Sequence, residues 1–279
     1  MLGIKHFDSV KTISLILLII FVIALLLSKN SQAVMRVMVG QEIKLRTAGF
    51  SQYQTEHFDI KFTANDEDYV PLIAEVAEDA YVSVSEVFGQ QPLRRTTLVV
   101  YPDSSTLASS FGWDRDEKAM GVYWAGSIRI LSPREWLTGT DIKKQFVEEG
   151  PMVHEFAHLM VDEITGGNYN RWWTEGIAQY VEKKITGFEF ADPFANGRDL
   201  EYYSLSTLGK NFDKLDQQLA YWESLRLAEY IVKEYGEDYL FAINISLGEG
   251  NTMAIAIENS LGLAYPDFEQ DFYHYVEKY

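Results

Sequence analysis

His154, Glu155 and His158 have the residue types and the spacing of a metal-dependent hydrolytic site. Residues four apart in a helix lie one turn above each other on the same face, so the two imidazoles can bind one metal ion. Glu155 is rotated by about 100° from that face, which lets its carboxylate reach a water molecule at the metal without taking a ligand position. The HExxH pattern therefore indicates a zinc hydrolase, although two histidines on one helix are also compatible with an ordinary metal-free core.

A catalytic zinc site needs a third protein ligand and one open position. The sequence contains no cysteine, so histidine and carboxylate are the remaining ligand types. Glu175 lies near the start of a second amphipathic helix, predicted over residues 172–185, and a short Gly-Gly turn separates this helix from the first. Antiparallel helices joined in this way pack closely, which can place Glu175 beside His154 and His158. The alternative is an acid that interacts with the helix dipole.

Three further polar residues are candidate supports for such a site. Gln179 and Glu182 follow Glu175 by four and seven residues, so either can accept a hydrogen bond from a ligand imidazole. A solvated helix face is the alternative for both. Asp162 shares the stripe of the two histidines, and a salt bridge to Arg171 explains it as well as a catalytic role does.

The elements that must position these residues predict an α+β fold. Apolar alternation and helical spacing favour a β-rich α/β lobe over residues 53–140, followed by a helical lobe over residues 141–279. In the first lobe, strands are predicted at 57–63, 97–101, 120–125 and 126–131, with helices at 66–88 and 104–110. In the second lobe, helices are predicted at 141–149, 152–164, 172–185, 200–208, 216–235, 238–247, 253–261 and 267–278.

Composition limits the class of protein. With 279 residues, 47% of them hydrophobic, the chain can bury a full core in one domain or two lobes. The formal net charge of -17 argues against a nucleic-acid partner, because the phosphate backbone would repel the protein. The sequence does not indicate an oligomeric state.

The N-terminal part carries a targeting signal. Residues 13–27 form an uncharged, strongly hydrophobic run, so we predict a membrane anchor or signal segment over residues 1–30 and a juxtamembrane stalk over 31–52. Ser31-Gln32-Ala33 resembles a signal-peptidase site, which makes cleavage and secretion the alternative to an anchor. For the anchored form we expect a cytoplasmic N-terminus and an extracytoplasmic catalytic domain.

The zinc-site motifs resemble those of the gluzincin metallopeptidases of the peptidase MA clan. The resemblance lies in HEFAH at 154–158, WWTEG at 172–176 and the continuation GIAQYVE, and it is closer to the aminopeptidase N type than to thermolysin. It implies a thermolysin-like fold and one zinc ion per chain, bound by His154, His158 and Glu175. It also implies that Glu155 is the general base and that the substrate is a peptide or protein.

The same resemblance points to a second catalytic residue. Tyr221 stands where the aminopeptidase N type has its oxyanion-stabilising tyrosine. In that family a Lys-Gly pair follows two residues later, whereas this chain has Glu223-Ser224. The competing tyrosines are Tyr202, Tyr203 and Tyr230.

Residues 118–122, KAMGV, stand where that family has a Gly-Ala-Met-Glu-Asn strand whose glutamate binds the free amine of the substrate. Gly121 replaces that acid, so we expect cleavage within a chain rather than removal of N-terminal residues. The strand can still bind an extended substrate by edge pairing. The predicted function is therefore a membrane-anchored zinc metallopeptidase; the alternative is an inactive, membrane-tethered binding protein on the same scaffold.

Overall fold

The computed structural model of the chain describes residues 31–195, 197–198 and 200–278. Its contacts divide the chain into two compact units, one that ends at Arg46 and one that begins at Thr47. The described part of the first unit is helix α1, Ser31–Arg46. The sequence shows no clear apolar period there, but good helix formers such as Ala, Met, Gln, Glu and Lys dominate it. The predicted stalk is thus helical over most of its length.

Within the described residues, no helix is both long enough and apolar enough to cross a membrane. The predicted membrane segment, residues 13–27, lies outside the described part of the chain. It therefore stays a prediction.

The second unit contains a five-stranded mixed sheet in the order β1-β2-β3-β5-β4. Its strands β2 and β3 are parallel, as are β3 and β5, whereas β1 and β4 pair antiparallel with β2 and β5. Strand β4 forms a hairpin with β5 and lies at one edge of the sheet. The strands span Ser51–Gln54, Phe58–Phe62, Thr96–Tyr101, Gly121–Trp124 and Ser127–Leu131.

The helices of this unit follow the predicted order. They are α2 (Val70–Phe88), α3 (Ser104–Ser110), α4 (Ile142–Glu149), α5 (Met152–Thr165), α6 (Arg171–Thr186), α7 (Leu205–Asn211), α8 (Gln217–Glu234), α9 (Glu237–Gly248), α10 (Met253–Leu261) and α11 (Tyr265–Val276). Short 3-10 helices lie at Ala64–Tyr69, Pro133–Glu135 and Phe212–Lys214.

The HExxH motif lies on α5, which connects the sheet to the helical lobe. Helix α5 contacts β4 and β5 on one side and α6 on the other. Phe156 of α5 is fully buried and packs against Phe58 of β2, with ring centroids 5.8 Å apart. Gly166 ends the helix in the left-handed conformation at φ 62°, which a glycine adopts without strain. The sheet and this glycine thereby fix the position and the length of the helix.

The helix predicted over residues 200–208 begins later than expected. Ser204 caps α7 by accepting a hydrogen bond from the backbone amide of Thr207, so the helix starts at Leu205. The amide of Tyr203 donates instead to Glu223, 3.0 Å away. These two contacts leave Tyr203 outside the helix.

Helices α6 and α8 approach each other closely at Gly176. A Cβ atom on Gly176 would lie 2.3 Å from the backbone oxygen of Ser224, well inside van der Waals contact. Only glycine permits this separation, because the obstacle is backbone that cannot rotate away. The contact brings the N-terminal half of α6, with Glu175, against α8.

Replacement of Gly176 by alanine should therefore push α6 away from α8. We expect Gly176→Ala to lower the free energy of unfolding by about 1–3 kcal/mol, as overpacking usually does. Urea unfolding followed by circular dichroism measures this change. Gly49→Ala is the matched control, since nothing lies within 4 Å of a Cβ at that position; equal losses in the two variants would contradict the close contact.

Candidate active site

Three predicted ligand atoms converge between α5 and α6. The Nε2 atoms of His154 and His158 are 3.1 Å apart. Oε2 of Glu175 lies 3.4 Å from each of them. The three atoms thus form a nearly equilateral triangle.

This triangle has the dimensions of a zinc site. Ligand atoms at 2.0–2.1 Å from a tetrahedral zinc ion lie about 3.3 Å apart, which matches the three sides. Oε2 of Glu175 is buried and has no hydrogen-bond partner among the described residues. An unpartnered buried carboxylate oxygen that faces two imidazole nitrogens fits a bound cation.

Glu182 orients the first imidazole. Its Oε2 lies 3.0 Å from Nδ1 of His154. Because an ionised carboxylate can only accept, the imidazole carries a proton on Nδ1, and the neutral ring has its lone pair on Nε2. The structure therefore assigns Glu182, rather than Gln179, to the supporting position that the sequence left open. Gln179 donates to the backbone oxygens of Glu175 and Tyr221.

Thr174 orients the second imidazole. Its hydroxyl lies 2.6 Å from Nδ1 of His158, and both side chains are buried. Thr174 is not among the site residues predicted from the sequence, although its place directly before Glu175 on the same helix is a usable signal. Both imidazoles are therefore held through Nδ1, with Nε2 directed at Glu175.

Strand β4 holds the carboxylate of Glu155. The backbone amide of Tyr123 donates to Oε2 of Glu155 at 2.5 Å. The hydroxyl of Tyr123 donates to Asp162 at 2.5 Å and accepts from the amide of Gly126 at 2.9 Å. Asp162 thus anchors the hairpin that presents this amide. No sequence pattern marks the backbone of residue 123 as part of the site.

Of the four candidate tyrosines, Tyr221 has its hydroxyl at the site. It donates to Oε1 of Glu175 at 3.1 Å. The hydroxyl of Tyr203 accepts from the amide of Asp216. Tyr202 stacks on Trp222, and Tyr230 packs among the aromatic rings of α11.

Burial and neighbouring charges both shift the pKa values of these groups, and for Glu175 the two effects oppose each other. Burial raises the pKa of Glu155, which brings it closer to that of an effective general base near neutral pH. Burial acts the same way on Glu175, but the two imidazoles outweigh it and hold the pKa of Glu175 well below its usual value. Burial, with the neighbouring Glu175 carboxylate, raises the pKa of Tyr221 far above its usual value, so its hydroxyl stays protonated.

Glu223 is another buried acid, outside the ligand triangle. Its side chain is fully buried, and Oε1 accepts from the amide of Tyr203. Oε2 finds no hydrogen-bond partner in the described part of the chain. Burial raises the pKa of Glu223 to about 8, so this acid is neutral at physiological pH.

Comparison with known proteins bears on most of the second unit. A family model described as the peptidase MA superfamily matches residues 76–278. The crystal structure of an M1 zinc metallopeptidase from Deinococcus radiodurans is similar, with 14% identity and a TM-score of 0.46. The crystal structure of a mutant of that metallopeptidase is also similar.

For the mutant structure the TM-score is 0.47, and both matches have 14% sequence identity. Each match covers 80% of this chain and 49% of the other, so the chain spans about half the length of these structures. Among curated proteins, none matches the chain.

The buried Glu223 predicts a specific pH dependence of stability. In the folded protein it keeps its proton up to about pH 8, whereas in the unfolded chain it ionises near pH 4.3. Its contribution to stability is therefore complete below pH 4.3 and is lost as the pH rises to about 8.

Glu223→Gln removes this dependence. Relative to wild type, the free energy of unfolding of the variant should rise between pH 5 and pH 8 by about 3.5 kcal/mol. Urea titrations at four pH values measure it. Glu234→Gln, an exposed substitution on the same helix, is the control, and parallel curves for wild type and Glu223→Gln would refute the assignment.

Proposed function

Because the chain belongs to the peptidase MA superfamily, we propose that it is a zinc-dependent metallopeptidase that hydrolyses peptide bonds. The observation that carries the proposal is the ligand triangle of His154, His158 and Glu175, with Glu155 next to it on α5. His154 and His158 would hold one zinc ion through Nε2, and Glu175 through Oε2. When bound, zinc lowers the pKa of a water molecule and polarises a substrate carbonyl.

Glu155 is the proposed general base. Its Oε2 is fixed by the amide of Tyr123, so the carboxylate cannot swing away from the site. Its raised pKa lets it take a proton from water and return it to the leaving amine. The two proton transfers need no other titrating side chain.

Tyr221 is the proposed donor to the oxyanion. Its hydroxyl is protonated and lies beside Glu175, at the rim of the ligand triangle. A hydrogen bond from this hydroxyl to the tetrahedral oxyanion would stabilise the transition state. The rings of Phe190 and Phe212 pack against its ring, with centroid distances of 6.0 Å and 5.5 Å, and limit its movement.

Strand β4 is the proposed binding edge for an extended substrate. The amide of Leu131 donates to the carbonyl of Met120, so the backbone groups of Gly121 and Tyr123 point away from β5. The amide of Tyr123 reaches Glu155 along this outward direction. A peptide that pairs with this edge would pass directly in front of the general base.

The geometry at Gly121 supports an endopeptidase. A Cβ there would lie 2.5 Å from Cβ of Pro151 and 2.9 Å from Cγ of Glu155. An acidic side chain therefore has no room at the position where the aminopeptidase N type binds the substrate amine. We propose that substrates are cut within the chain.

We propose that the protein acts outside the cytoplasm and that residues 13–27 hold it there as a single membrane anchor. The support is the charge-free hydrophobic run and the lysines ahead of it. Secretion after cleavage near Ala33 is the alternative, and N-terminal sequencing of the mature protein distinguishes the two.

Metal analysis tests the ligand set. The purified full-length protein should contain about one zinc ion per chain, as a three-ligand catalytic site requires. His154→Ala should lose this zinc, whereas His274→Ala should keep it because His274 is exposed on α11. A zinc-free wild type, or zinc retained in His154→Ala, would contradict the assignment.

Activity measurements test the general base and the mode of cleavage together. Glu155→Gln should retain zinc and lose about 10²–10⁴-fold in kcat, the usual contribution of a general base. Wild type should cleave a peptide library equally well with free and with acetylated N-termini, as mass spectrometry would show. Strict dependence on a free amine would rule out an endopeptidase, and equal cleavage by Glu155→Gln would remove Glu155 from the mechanism.

A further inference from the structure

Arg171 is the first residue of α6, one helical turn before Glu175. Its Nε lies 3.3 Å from Oε1 of Glu175, and another guanidinium nitrogen lies 2.9 Å from Oδ1 of Asp213. The guanidinium also lies 5.8 Å from the ring centroid of Phe212. Although half of the side chain is exposed, its guanidinium contacts Glu175, Asp213 and the ring of Phe212.

The two oxygens of Glu175 have different surroundings as a result. Oε1 faces the guanidinium of Arg171 and accepts from the hydroxyl of Tyr221. Oε2 lacks a hydrogen-bond partner within the described residues and faces His154 and His158. The positive charge of Arg171 also opposes the rise in the pKa of Tyr221 that burial and Glu175 cause. The guanidinium and the phenol thus both contact Oε1, whereas Oε2 faces the histidines.

Helix stability does not account for an arginine at this position. The N-terminus of a helix carries a partial positive charge, so a cation in the first turn is unfavourable by about 0.3–1 kcal/mol. The contact with Glu175 opposes this cost, but i,i+4 ion pairs in helices contribute only about 0.3–0.5 kcal/mol. The contacts of Arg171 with the active-site groups offer a reason for its presence that a helical ion pair does not.

We propose that Arg171 is a positioning residue that holds Glu175 so that only Oε2 is presented to the metal, and that keeps the Tyr221 hydroxyl beside Oε1. The inference rests on the proposed function. A carboxylate with two free oxygens can take two coordination positions and close the open one that a catalytic site needs. A guanidinium on Oε1 prevents this, and its planar fork reaches several acceptors at once.

Arg171→Met and Arg171→Lys test the proposal in the full-length protein, with Arg95→Met as the matched control. Arg95 is a partly exposed arginine that contacts Glu56 and Asp59, away from the ligand triangle. Zinc affinity is measured by competition with a chromophoric chelator. We expect about 10- to 100-fold weaker binding for Arg171→Met, the usual effect of removing a group that orients a ligand.

Two further readouts separate positioning from simple stability. Absorption of the cobalt-substituted protein reports coordination number, since four-coordinate cobalt absorbs more strongly than five-coordinate cobalt. The absorption should weaken in Arg171→Met and be unchanged in Arg95→Met. In peptide cleavage, kcat should fall with little change in KM, because Arg171 acts through Glu175 and Tyr221. Arg171→Lys should recover part of each loss, since the lysine ammonium keeps the positive charge but lacks the planar, forked set of N–H donors of arginine.

The outcomes distinguish this inference from the proposed function. Zinc binding and cleavage by wild type, with wild-type zinc affinity and cobalt absorption in Arg171→Met, would overturn the role of Arg171 alone. Failure of wild type to bind zinc would overturn both. If Arg171→Met does not fold, as judged by thermal melting, Arg171→Lys decides: unchanged affinity and absorption in that variant would refute the proposal.

Discussion

The backbones of α6 and α8 meet at Gly176 with no side chain between them, and the geometry of the site depends on this contact. Glu175 precedes the glycine directly, and Tyr221 lies three residues before Ser224, the residue that the glycine faces. The proposed metal ligand and the proposed oxyanion donor therefore lie within one helical turn of this close contact. Helices commonly pack 8–10 Å apart, with side chains interleaved between them. A side chain at this position would enlarge the 3.1 Å distance between the phenol and Oε1.

A second constraint is the cost of burying charged groups between α5 and α6. Glu155, Glu175 and Glu182 are all buried, close to the imidazoles of His154 and His158. Buried ions are tolerated when each is hydrogen-bonded or paired. Glu182, Thr174 and the Tyr123 amide supply such partners, and they are placed on the outer sides of the site. The atoms that these groups do not contact, the two Nε2 atoms and Oε2 of Glu175, lie together at its centre. The surrounding elements thus leave a set of ligand atoms that suits a cation.

Local patterns in the sequence predicted those parts of the site that lie within one helix or across one short turn. The HExxH helix, its end at Gly166 and the proximity of Glu175 follow from helical spacing and from a two-glycine turn. The family prediction is confirmed, since the superfamily match spans residues 76–278. The contact between the Tyr123 amide and Glu155 was not predictable, because it joins backbone to a side chain 32 residues away.

Other differences between the predicted and the observed structure also arise from features that the apolar spacing of the sequence does not show. The start of α7 depends on the cap at Ser204 and on the long-range bond from Tyr203 to Glu223, and helical propensity alone extends the helix too far. For α1, propensity was the better guide than apolar period. The roles of Thr174 and Glu182 required a knowledge of how α6 rotates against α5, which spacing leaves open.

The chain departs from the aminopeptidase N pattern at positions that the packing connects. Two residues after Tyr221, that pattern has a lysine, whereas this chain has Glu223, which is buried and neutral and adds no charge near the phenol. A cation lies near the tyrosine nevertheless, because Arg171 on α6 contacts Oε1 of Glu175, the oxygen to which the phenol donates. The proposed oxyanion site is therefore assembled from two helices, so the close contact at Gly176 positions the proposed metal ligand together with Tyr221.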